Sequence, residues 1–475
     1  MLLSGASLAL DYVKLNVLTQ SLQAGYLPDN PPLFEWTLFL IQSVFGPTRL
    51  SFVLIIGVFF VAAVFFTYLA AVELFDRRWA AFAALSLILF FQLGWNFFQT
   101  FTHSAALIAA TFFFWWSILR VIRDQDFYSY VLVGLAIGIG LQSKYSFAGV
   151  LIAALIAVFL RRETRRAFFA PGIFISVVVA SILLIPHFLW LYAQNQLIVE
   201  VAADRLQSNE TSYFLKIFTG LPAAIWALVS FFLPFILIAV AIFGRKKLQS
   251  WNDDPRILLL KDAALIGGLL VLISVFVAGL ASMQERYVIA LMIPAIFWMI
   301  AKLRSAHISA RQMTVYLASV AAVAVATLSV KTAQILVPGP PFCRECRQWV
   351  PYEAIKFALD QQGFVDGTLV GLTDHTAGNL RRLYPHARVL SSYLLFYTPA
   401  GGAMDDDCYF IWSTDLGPEI PEHLARRLAN EATYEVIGEW QHFLKRDGWR
   451  QTVWTVAKLD QDPSLKKALC RPAAD

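Results

Sequence analysis

Charged residues are scarce in this sequence. Asp, Glu, Lys and Arg make up only 15% of the 475 residues, whereas 58% are apolar and the mean hydropathy is +0.61. Soluble domains carry about a quarter charged residues, so most of this chain is unsuited to water. The scarcity favours a polytopic membrane protein. It also argues against nucleic-acid binding, because the cations behind the formal net charge of +5 lie between apolar runs and form no basic patch interleaved with aromatics.

Cysteine is absent until late in the chain. The four cysteines, Cys343, Cys346, Cys408 and Cys470, all follow the last apolar run. This distribution fits an oxidising compartment for the tail, where disulfides persist. We expect at least one bridge, which either joins Cys408 or Cys470 to the "CREC" segment or closes that segment on itself. A zinc knuckle is the alternative for Cys343-x-x-Cys346, but no second CxxC or HxxxH follows it.

The tail also lacks the commonest catalytic motifs. After residue 335 there is no glycine-rich phosphate loop, nucleophile elbow or metal-ligand cluster. Instead, helix-like and strand-like stretches such as "YEAIKFALDQQ" and "CYFIWST" alternate behind a rigid "VPGPP". We therefore expect a small α/β domain over 336–475. Its most polar stretch, "TDHTAGN" at 373–379, is expected to be a solvated loop.

Long apolar runs fill the chain before the tail. Their lengths are close to what crosses a bilayer core. We count ten: 52–74, 79–95, 102–122, 129–143, 146–160, 171–193, 221–243, 262–281, 286–303 and 313–334. The runs at 129–143 and 146–160 are short and rich in Gly and Ala, which fits close helix packing or partial penetration better than long lipid-facing spans. The fold class is thus mainly α, with a transmembrane helical domain over 51–335.

The positions of the cations predict the orientation. One set of alternate loops carries most of them: Arg77, Arg78, Arg120, Arg123, "RRETRR" 161–166, "GRKK" 244–247, Arg256, Lys261, Lys302, Arg304 and Arg311. The other set carries only Lys144, Arg205, Lys216 and Arg286. By the positive-inside rule the first set is cytoplasmic. Residues 1–50, the loop after Tyr192 and everything after Gln334 are then external, which in a bacterial inner membrane means periplasmic.

The beginning of the chain sits oddly with this topology. No apolar span precedes residue 52, and "MLLSGASLAL" lacks the basic region and the length of a signal peptide. Since residues 1–50 are predicted to be external, we expect an upstream membrane span that this sequence does not contain.

A rigid polar corner interrupts the external segment. "LALDYVKLNVLTQSLQAGY" has helical periodicity with Asp11 near its start, "PDNPP" follows, and "LFEWTLFLIQSVFG" is amphipathic enough to lie on a membrane surface. Because proline fixes φ and stops a helix, the corner is expected to set the angle between the Asp11 helix and the surface helix, beside a cavity at membrane level.

An ordered set of motifs resembles a known family, the integral-membrane GT-C glycosyltransferases of the protein mannosyltransferase and aminoarabinose or galacturonosyl transferase type. The resemblance rests on Asp11, "AGY", "DNPPLFEW", "FFQTFTHSAALI", "QSKYSFAGVL", "PHFLWL" and "ERYVIALMIPAI", in the family's order over about residues 5–305. The sequence departs from the pattern in three places: Asp11 is followed by Tyr12 where the family often has Glu, and the loop after the family's third span here offers Thr102, His103 and Ser104 where an acid or Asn is common. The third departure is the family's first span, which has no counterpart in this sequence.

The resemblance implies a GT-C fold and an inverting sugar transfer. Such enzymes take a sugar from a polyprenyl-phosphate carrier and join it to a lipid, lipopolysaccharide or protein acceptor through an oxocarbenium-like state. The leaving phosphate needs cations more than it needs a general acid. The implied partners are the polyprenyl-phosphate-linked sugar donor, a lipid or glycan acceptor and membrane lipids. No cofactor is specified, and a divalent cation stays open.

Two external cations are the candidate ligands of the carrier phosphate. Lys144 lies in a polar "QSKYS" turn between two short runs, and Arg286 lies at a span end where lipid phosphate is expected. Snorkelling at the interface is the alternative role for both side chains. Their neighbours Tyr145 and Tyr287 are placed in the same substrate-binding set.

Asp11 is the candidate general base, which would accept the proton of the acceptor hydroxyl. The alternative is a first-turn aspartate favoured by the helix dipole. Asp29 is expected to line the same cavity or to fix the corner, and Tyr12 joins the substrate-binding set. His103 and His187 are candidates for binding sugar or acceptor, with a purely structural role as the alternative.

Two other classes fit a polytopic chain. A secondary transporter would carry ionisable sites or broken helices at mid-membrane, whereas the charges within these runs are few and Glu73 and Lys331 lie near run ends. A non-catalytic envelope assembly protein would use the tail to bind a partner. Sugar transfer predicts that Asp11, Lys144 and Arg286 converge on one cavity, and transport predicts a buried central site.

Overall fold

The computed structural model describes residues 7–98, 101–194, 212–250, 253–337, 347–394, 397–400, 407–413, 434–443, 449–459 and 463–471. Within this part of the chain, seven helices are long and apolar enough to cross a membrane. They are Arg49–Val72, His103–Asp124, Ile173–Ala193, Tyr213–Phe243, Pro255–Ala278, Glu285–Ser305 and Ala310–Gln334, the last continuing to Leu336. Each overlaps a predicted apolar run, so hydropathy located these helices correctly.

The predicted span 79–95 is not one helix, and this prediction was wrong. The segment consists of helix Arg77–Ser86, a 3₁₀ turn Leu87–Leu89 and a short helix Phe91–Trp95. The chain folds back so closely that a Cβ on Gly94 would lie 2.0 Å from the carbonyl oxygen of Ile88. Only glycine permits this approach, and it breaks an otherwise continuous apolar run.

The two short runs form helices Phe127–Ser143 and Phe147–Leu160, of 17 and 14 residues. Both are shorter than a typical full span. Glycine packing is tight here: a Cβ on Gly134 would lie 2.6 Å from the Ser176 carbonyl oxygen in helix Ile173–Ala193. The sequence prediction of close helix packing at these two runs is therefore confirmed, and the count of ten full spans is too high.

The chain divides into two compact units, which we describe separately. The helical unit comprises residues 27–34 and 56–328. Its interior combines many aliphatic side chains with stacked aromatic rings: the ring of Phe90 stacks on that of Phe235 with centroids 5.0 Å apart, and Trp115 is almost fully buried. A polar pair also lies inside, where the hydroxyl of Tyr316 donates to Ser86 Oγ at 2.8 Å.

The other unit comprises residues 1–26, 35–55 and 329–475 and contains the tail. Its sheet has the order β2-β1-β3-β5-β4. The strands are β1 Thr368–Gly371, β2 Arg388–Ser391, β3 Cys408–Ser413, β4 Tyr434–Phe443 and β5 Trp449–Lys458. β1 pairs in parallel with β2 and β3, and β5 pairs antiparallel with β3 and β4. With helices Tyr352–Gln361, Asp374–Leu383 and Pro463–Cys470, this confirms a small α/β fold in the tail.

Two tail predictions are corrected. The "TDHTAGN" segment is no solvated loop: Thr373 caps helix Asp374–Leu383, and residues 375–381 of that helix are buried. The reason is long-range packing against helix Asp11–Leu18. Cys408 is bonded to Cys470, so the expectation that either of them pairs with the "CREC" segment was wrong. Cys343 and Cys346 lie outside the described residues.

The N-terminal segment has the predicted order of elements. Helix Asp11–Leu18 is followed by a turn in which Leu27 bridges Asn30, and helix Leu33–Phe45 begins after the prolines. Pro28 and Asp29 form the tip of the turn, where the fixed φ of proline suits the second position. The polar corner is thus a proline turn that ends directly at a helix start.

Candidate active site

Lys144 lies where helix Phe127–Ser143 ends and its Nζ donates to Ser104 Oγ at 3.2 Å. Its ammonium also lies 6.0 Å from the ring centroid of Tyr287. Three segments far apart in sequence therefore meet at this lysine. The lysine is half-buried, and the aromatic face of Tyr287 contributes cation–π attraction to its ammonium.

Arg286 and Tyr287 lie in the first turn of helix Glu285–Ser305 and are exposed. Arg286 Nη2 donates to the Tyr287 hydroxyl at 3.0 Å, and the guanidinium carbon lies 5.0 Å from the same ring. Tyr287 thus has a cation from each of two segments near its ring. The positive end of the helix dipole adds to both charges, so this locus of the helical unit favours an anion.

Tyr145, the next residue after Lys144 in the sequence, contacts His187. The Tyr145 hydroxyl lies 2.9 Å from His187 Nε2, and the His187 ring stacks on Trp190 with centroids 5.8 Å apart. His187 is buried, whereas Tyr145 is 38% exposed. The arrangement resembles a flat aromatic platform with one polar edge, a shape suited to a sugar ring or an isoprenoid chain.

His103 contacts the proline corner. It is the first residue of helix His103–Asp124, is buried, and packs against Phe34 with ring centroids 5.4 Å apart. Phe34 belongs to the "DNPPLFEW" motif and His103 to "FFQTFTHSAALI", so these two motifs share a packing contact within the helical unit. Asp29, at the tip of the corner, is partly buried.

A polar cluster near Arg286 was missed by sequence reasoning. Glu285 Oε2 accepts from Gln92 at 3.2 Å, Glu285 Oε1 accepts from Ser230 at 3.3 Å, and Asn96 donates to Gln92 Oε1 at 2.7 Å. Gln92 and Asn96 lie in and just after the short helix Phe91–Trp95 that breaks the predicted span. The available signal was one amide inside the apolar run 79–95, Gln92, and a second directly after it, Asn96.

Asp11 lies in the other unit, in the first turn of helix Asp11–Leu18, and is exposed. Its neighbour Tyr12 is buried against Phe52 with ring centroids 4.8 Å apart. Burial and then the charge of Asp11 raise the pKa of Tyr12 well above its ordinary value. Tyr12 has the surroundings of a packing residue, and its substrate role stays a prediction.

The structure brings some predicted residues together. Lys144, Arg286 and Tyr287 form one cluster, Tyr145 and His187 a second, and His103 contacts the corner that carries Asp29. Asp11 and Tyr12 belong to the other compact unit, so the convergence of Asp11 with the cations stays a prediction. Over the described ranges, no three His, Cys, Asp or Glu side chains gather as a metal site would require.

Comparisons with known proteins agree with this architecture. The family model described as dolichyl-phosphate-mannose-protein mannosyltransferase matches residues 29–190. The lipopolysaccharide core galacturonosyltransferase RgtA of Rhizobium johnstonii is 28% identical over 307 residues, which is 63% of this chain and 60% of that protein. The galacturonosyltransferase RgtB of the same organism is 25% identical over 439 residues, which is 88% of each chain.

A solved structure gives the fold. The crystal structure of ArnT from Cupriavidus metallidurans, bound to undecaprenyl phosphate, matches with a TM-score of 0.60 over 95% of this chain and 94% of that one, at 14% identity. The likeness at this identity concerns the fold. Together with the matched family model and the two relatives, it confirms the resemblance drawn from the motifs: this chain is similar to the GT-C integral-membrane glycosyltransferases and has their fold.

Proposed function

We propose that this protein transfers a sugar from a polyprenyl-phosphate carrier to a lipid or lipopolysaccharide acceptor at the periplasmic face of a bacterial inner membrane, with inversion at the sugar. The observation that carries the proposal is the cluster of Lys144, Arg286 and Tyr287 at the start of helix Glu285–Ser305. Two cations and a helix N-terminus at one locus suit a phosphate that gains charge as it leaves.

The leaving group needs no proton. Carrier phosphate departs as an anion, and charge-assisted hydrogen bonds from an ammonium and a guanidinium stabilise the charge that develops. Lys144 supplies a compact charge and Arg286 a planar fork, so each would contact different phosphate oxygens. The Tyr145 and His187 platform, with a hydroxyl and a ring nitrogen 2.9 Å apart, is assigned to the sugar or the first isoprene unit.

Asp11 is assigned the role of general base for the acceptor hydroxyl. The assignment rests on its place in the family's first motif and on its exposed position in a helix first turn. A correctly placed base contributes about 10²–10⁴-fold to the rate. His103 and Asp29 are assigned to the acceptor side through the corner contact with Phe34, and Tyr12, next to Asp11, stays in the substrate-binding set.

The two relatives suggest the sugar to test first. Both are named as galacturonosyltransferases of the lipopolysaccharide core, so galacturonic acid is the first donor sugar and lipopolysaccharide core the first acceptor. The match spans 60% of the length of RgtA. Aminoarabinose and mannose carriers are the comparison donors. The periplasmic assignment rests on the asymmetry of cations between alternate loops.

The test combines carrier binding and transfer. We expect Lys144→Ala and Arg286→Ala each to weaken binding of undecaprenyl phosphate in detergent by about 10- to 100-fold, because each leaves phosphate charge without a charge-assisted partner. Lys216→Ala removes another predicted external cation, in the first turns of helix Tyr213–Phe243, and should change binding little.

Transfer is then measured from polyprenyl-phosphate galacturonic acid to purified lipopolysaccharide core by mass spectrometry. Equal loss of binding in all three variants would show a general charge effect and remove the site assignment. A parent protein that binds no undecaprenyl phosphate and instead moves a solute across vesicles would replace the proposal with a transporter.

A further inference from the structure

The helix that carries Asp11 cannot hold its own geometry. Helix Asp11–Leu18 has eight residues and its N-cap residue, Leu10, makes no side-chain capping bond. Isolated helices of this length are marginal in water. Leu10 also has φ 57° and ψ −142°, a backbone conformation that is costly for a residue with a Cβ and persists only where the surroundings impose it. Something else in the fold must fix the residue before Asp11.

The buried face of helix Asp374–Leu383 contacts the middle of the Asp11 helix. A Cβ on Gly378 would lie 2.2 Å from the Val13 carbonyl oxygen and 2.5 Å from Val13 Cα. Asn16 Nδ2 donates to the Gly378 carbonyl at 2.8 Å. The two backbones therefore touch at a point where only glycine fits, and a buried hydrogen bond fixes their register.

Asn379 holds the chain just before the strained residue. Its Oδ1 accepts from the Leu8 amide at 2.6 Å, and its Nδ2 donates to the Leu8 carbonyl at 3.1 Å and to the His375 carbonyl at 2.8 Å. The side chain is fully buried. Both backbone groups of Leu8 are thus satisfied by one amide, which restrains the chain on the N-terminal side of Leu10.

Arg381 holds the other end of the Asp11 helix. Its guanidinium donates to the Asn16 carbonyl, to the Thr19 carbonyl at 2.8 Å and to Thr19 Oγ1 at 3.1 Å. Carbonyls of the last helical turn lack partners within a helix, and a cation there is favoured by the helix dipole. Burial lowers the pKa of Arg381 to about 10, so the side chain stays charged at neutral pH.

We propose that Gly378, Asn379 and Arg381 are positioning residues of the sugar transfer: they fix the helix of Asp11, and with it the carboxylate, from the α/β tail. The inference rests on the proposed role of Asp11 as the base. In the described structure, the bonds of these residues to that segment go to Leu8, Asn16 and Thr19 and leave the Asp11 carboxylate to the reaction. The tail thereby contributes to catalysis by positioning Asp11. This role also explains why its polar segment 373–379 is buried.

Kinetics of full-length variants in detergent test this role. We expect Asn379→Ala and Arg381→Gln to lower kcat by about 10²-fold, the cost of a misplacement of about 1 Å, with KM for the polyprenyl-phosphate sugar changed less than about twofold. Arg381→Lys keeps the charge and one donor and should recover part of the loss. Arg382→Gln is the matched control: it lies on the same helix, but its Nη1 bonds Glu353 at 2.8 Å, and its kcat should equal the parent value.

A double-mutant cycle separates positioning from a general loss of stability. If Arg381 acts through Asp11, then Arg381→Gln should lower kcat in the parent and have no further effect in an Asp11→Asn background. Hydrogen exchange should also quicken in peptides spanning 8–19 of Asn379→Ala before it changes in β1 and β3. A further drop of about 10²-fold in the Asp11→Asn background, or an equal loss in Arg382→Gln, would overturn the inference while the proposed function stands. Parent-like turnover of Asp11→Asn alone would instead remove the base assignment.

Discussion

In the helical unit, the candidate ligands of the carrier phosphate lie at helix ends and keep contact with solvent: Arg286 and its neighbour Tyr287 are exposed, and Lys144 is half-buried. In the unit that contains the tail, the polar side chains around helix Asp11–Leu18 are buried and bonded, with Asn16 and Asn379 at 0% exposure. Exposed cations can exchange a partner for a ligand, whereas buried amides hold one backbone geometry. The difference suggests that the helical unit binds the carrier and the other unit positions the base.

The largest expected effect tests the base itself. Asp11→Asn keeps the shape of the side chain and removes proton acceptance, so turnover should fall by about 10²–10⁴-fold while undecaprenyl phosphate binds as in the parent. The measurement is single-turnover transfer in detergent together with a binding isotherm. Weaker carrier binding in Asp11→Asn would contradict the assignment of carrier binding to the helical unit and of the base to the other unit. Transfer at the parent rate would favour a phosphate acceptor, which needs no deprotonation.

The next effect concerns the stability of the tail alone. Cys408 and Cys470 close a loop with a sequence separation of 62, and loss of such a cross-link costs about 4 kcal/mol in the chain-entropy model. The double substitution Cys408→Ser and Cys470→Ser should therefore lower the melting temperature of the tail. Hydrogen exchange in β1 and β3, measured against temperature, reports this melting. Carrier affinity should be unchanged, because its predicted ligands lie in the helical unit. A loss of affinity as large as that of Lys144→Ala would contradict the comparison.

Glu285 sharpens the comparison from the opposite side, because it is a bonded polar group in the helical unit. Its carboxylate accepts from Gln92 and Ser230, so Glu285→Ala should destabilise the protein by about 1–3 kcal/mol through the partners left unsatisfied. Glu285→Gln retains an acceptor and should cost much less. Thermal melting in detergent measures both variants. If Glu285→Gln stopped transfer at an unchanged melting temperature, the cluster would be part of the chemistry.

The sequence was informative where the physics is local. Apolar runs located the seven long helices, and the prolines predicted the turn at Asp29. The choice of Lys144 and Arg286 from the sparse cations of their loops stays a prediction. The approach of Lys144 to Tyr287 depends on how helices far apart in sequence pack, which hydropathy does not encode. The break at 79–95 is local, because it depends on the close approach of Gly94 to Ile88, and the hydropathy of the run did not show it.

The tail shows the limit more sharply. "TDHTAGN" is polar enough to predict a solvated loop, yet Asn379 pairs with Leu8, 371 positions earlier in the chain. A buried polar side chain is indistinguishable from an exposed one until its partner is known. For the same reason the pairing of Cys408 with Cys470 could not be chosen over the alternatives, because cysteine spacing carries no information on which segments lie side by side.

The smallest expected effect is a pH dependence confined to the tail surface. Burial raises the pKa of the Asp360 carboxyl, but hydrogen bonds from Lys356 and Tyr384 outweigh it and hold that pKa below its ordinary value. A carboxylate with a lowered pKa in the folded state stabilises the fold above its ordinary pKa, and the contribution disappears as the pH falls through the folded value. Because the Asp360 side chain is 42% exposed, solvent screening keeps this contribution under about 1 kcal/mol.

Asp360→Asn should therefore lower the melting temperature of the tail slightly at neutral pH, and the difference from the parent should disappear as the pH falls through the folded pKa of Asp360. Melting curves from pH 7 downward measure the difference. Asp366→Asn provides the control, since its carboxylate bonds the amide of the next residue, Gly367, at 2.8 Å and no lysine or tyrosine. Neither variant should alter carrier binding at neutral pH. If carrier affinity changed in Asp360→Asn but not in Asp366→Asn, the tail surface would take part in binding. The assignment of carrier binding to the helical unit would then fail.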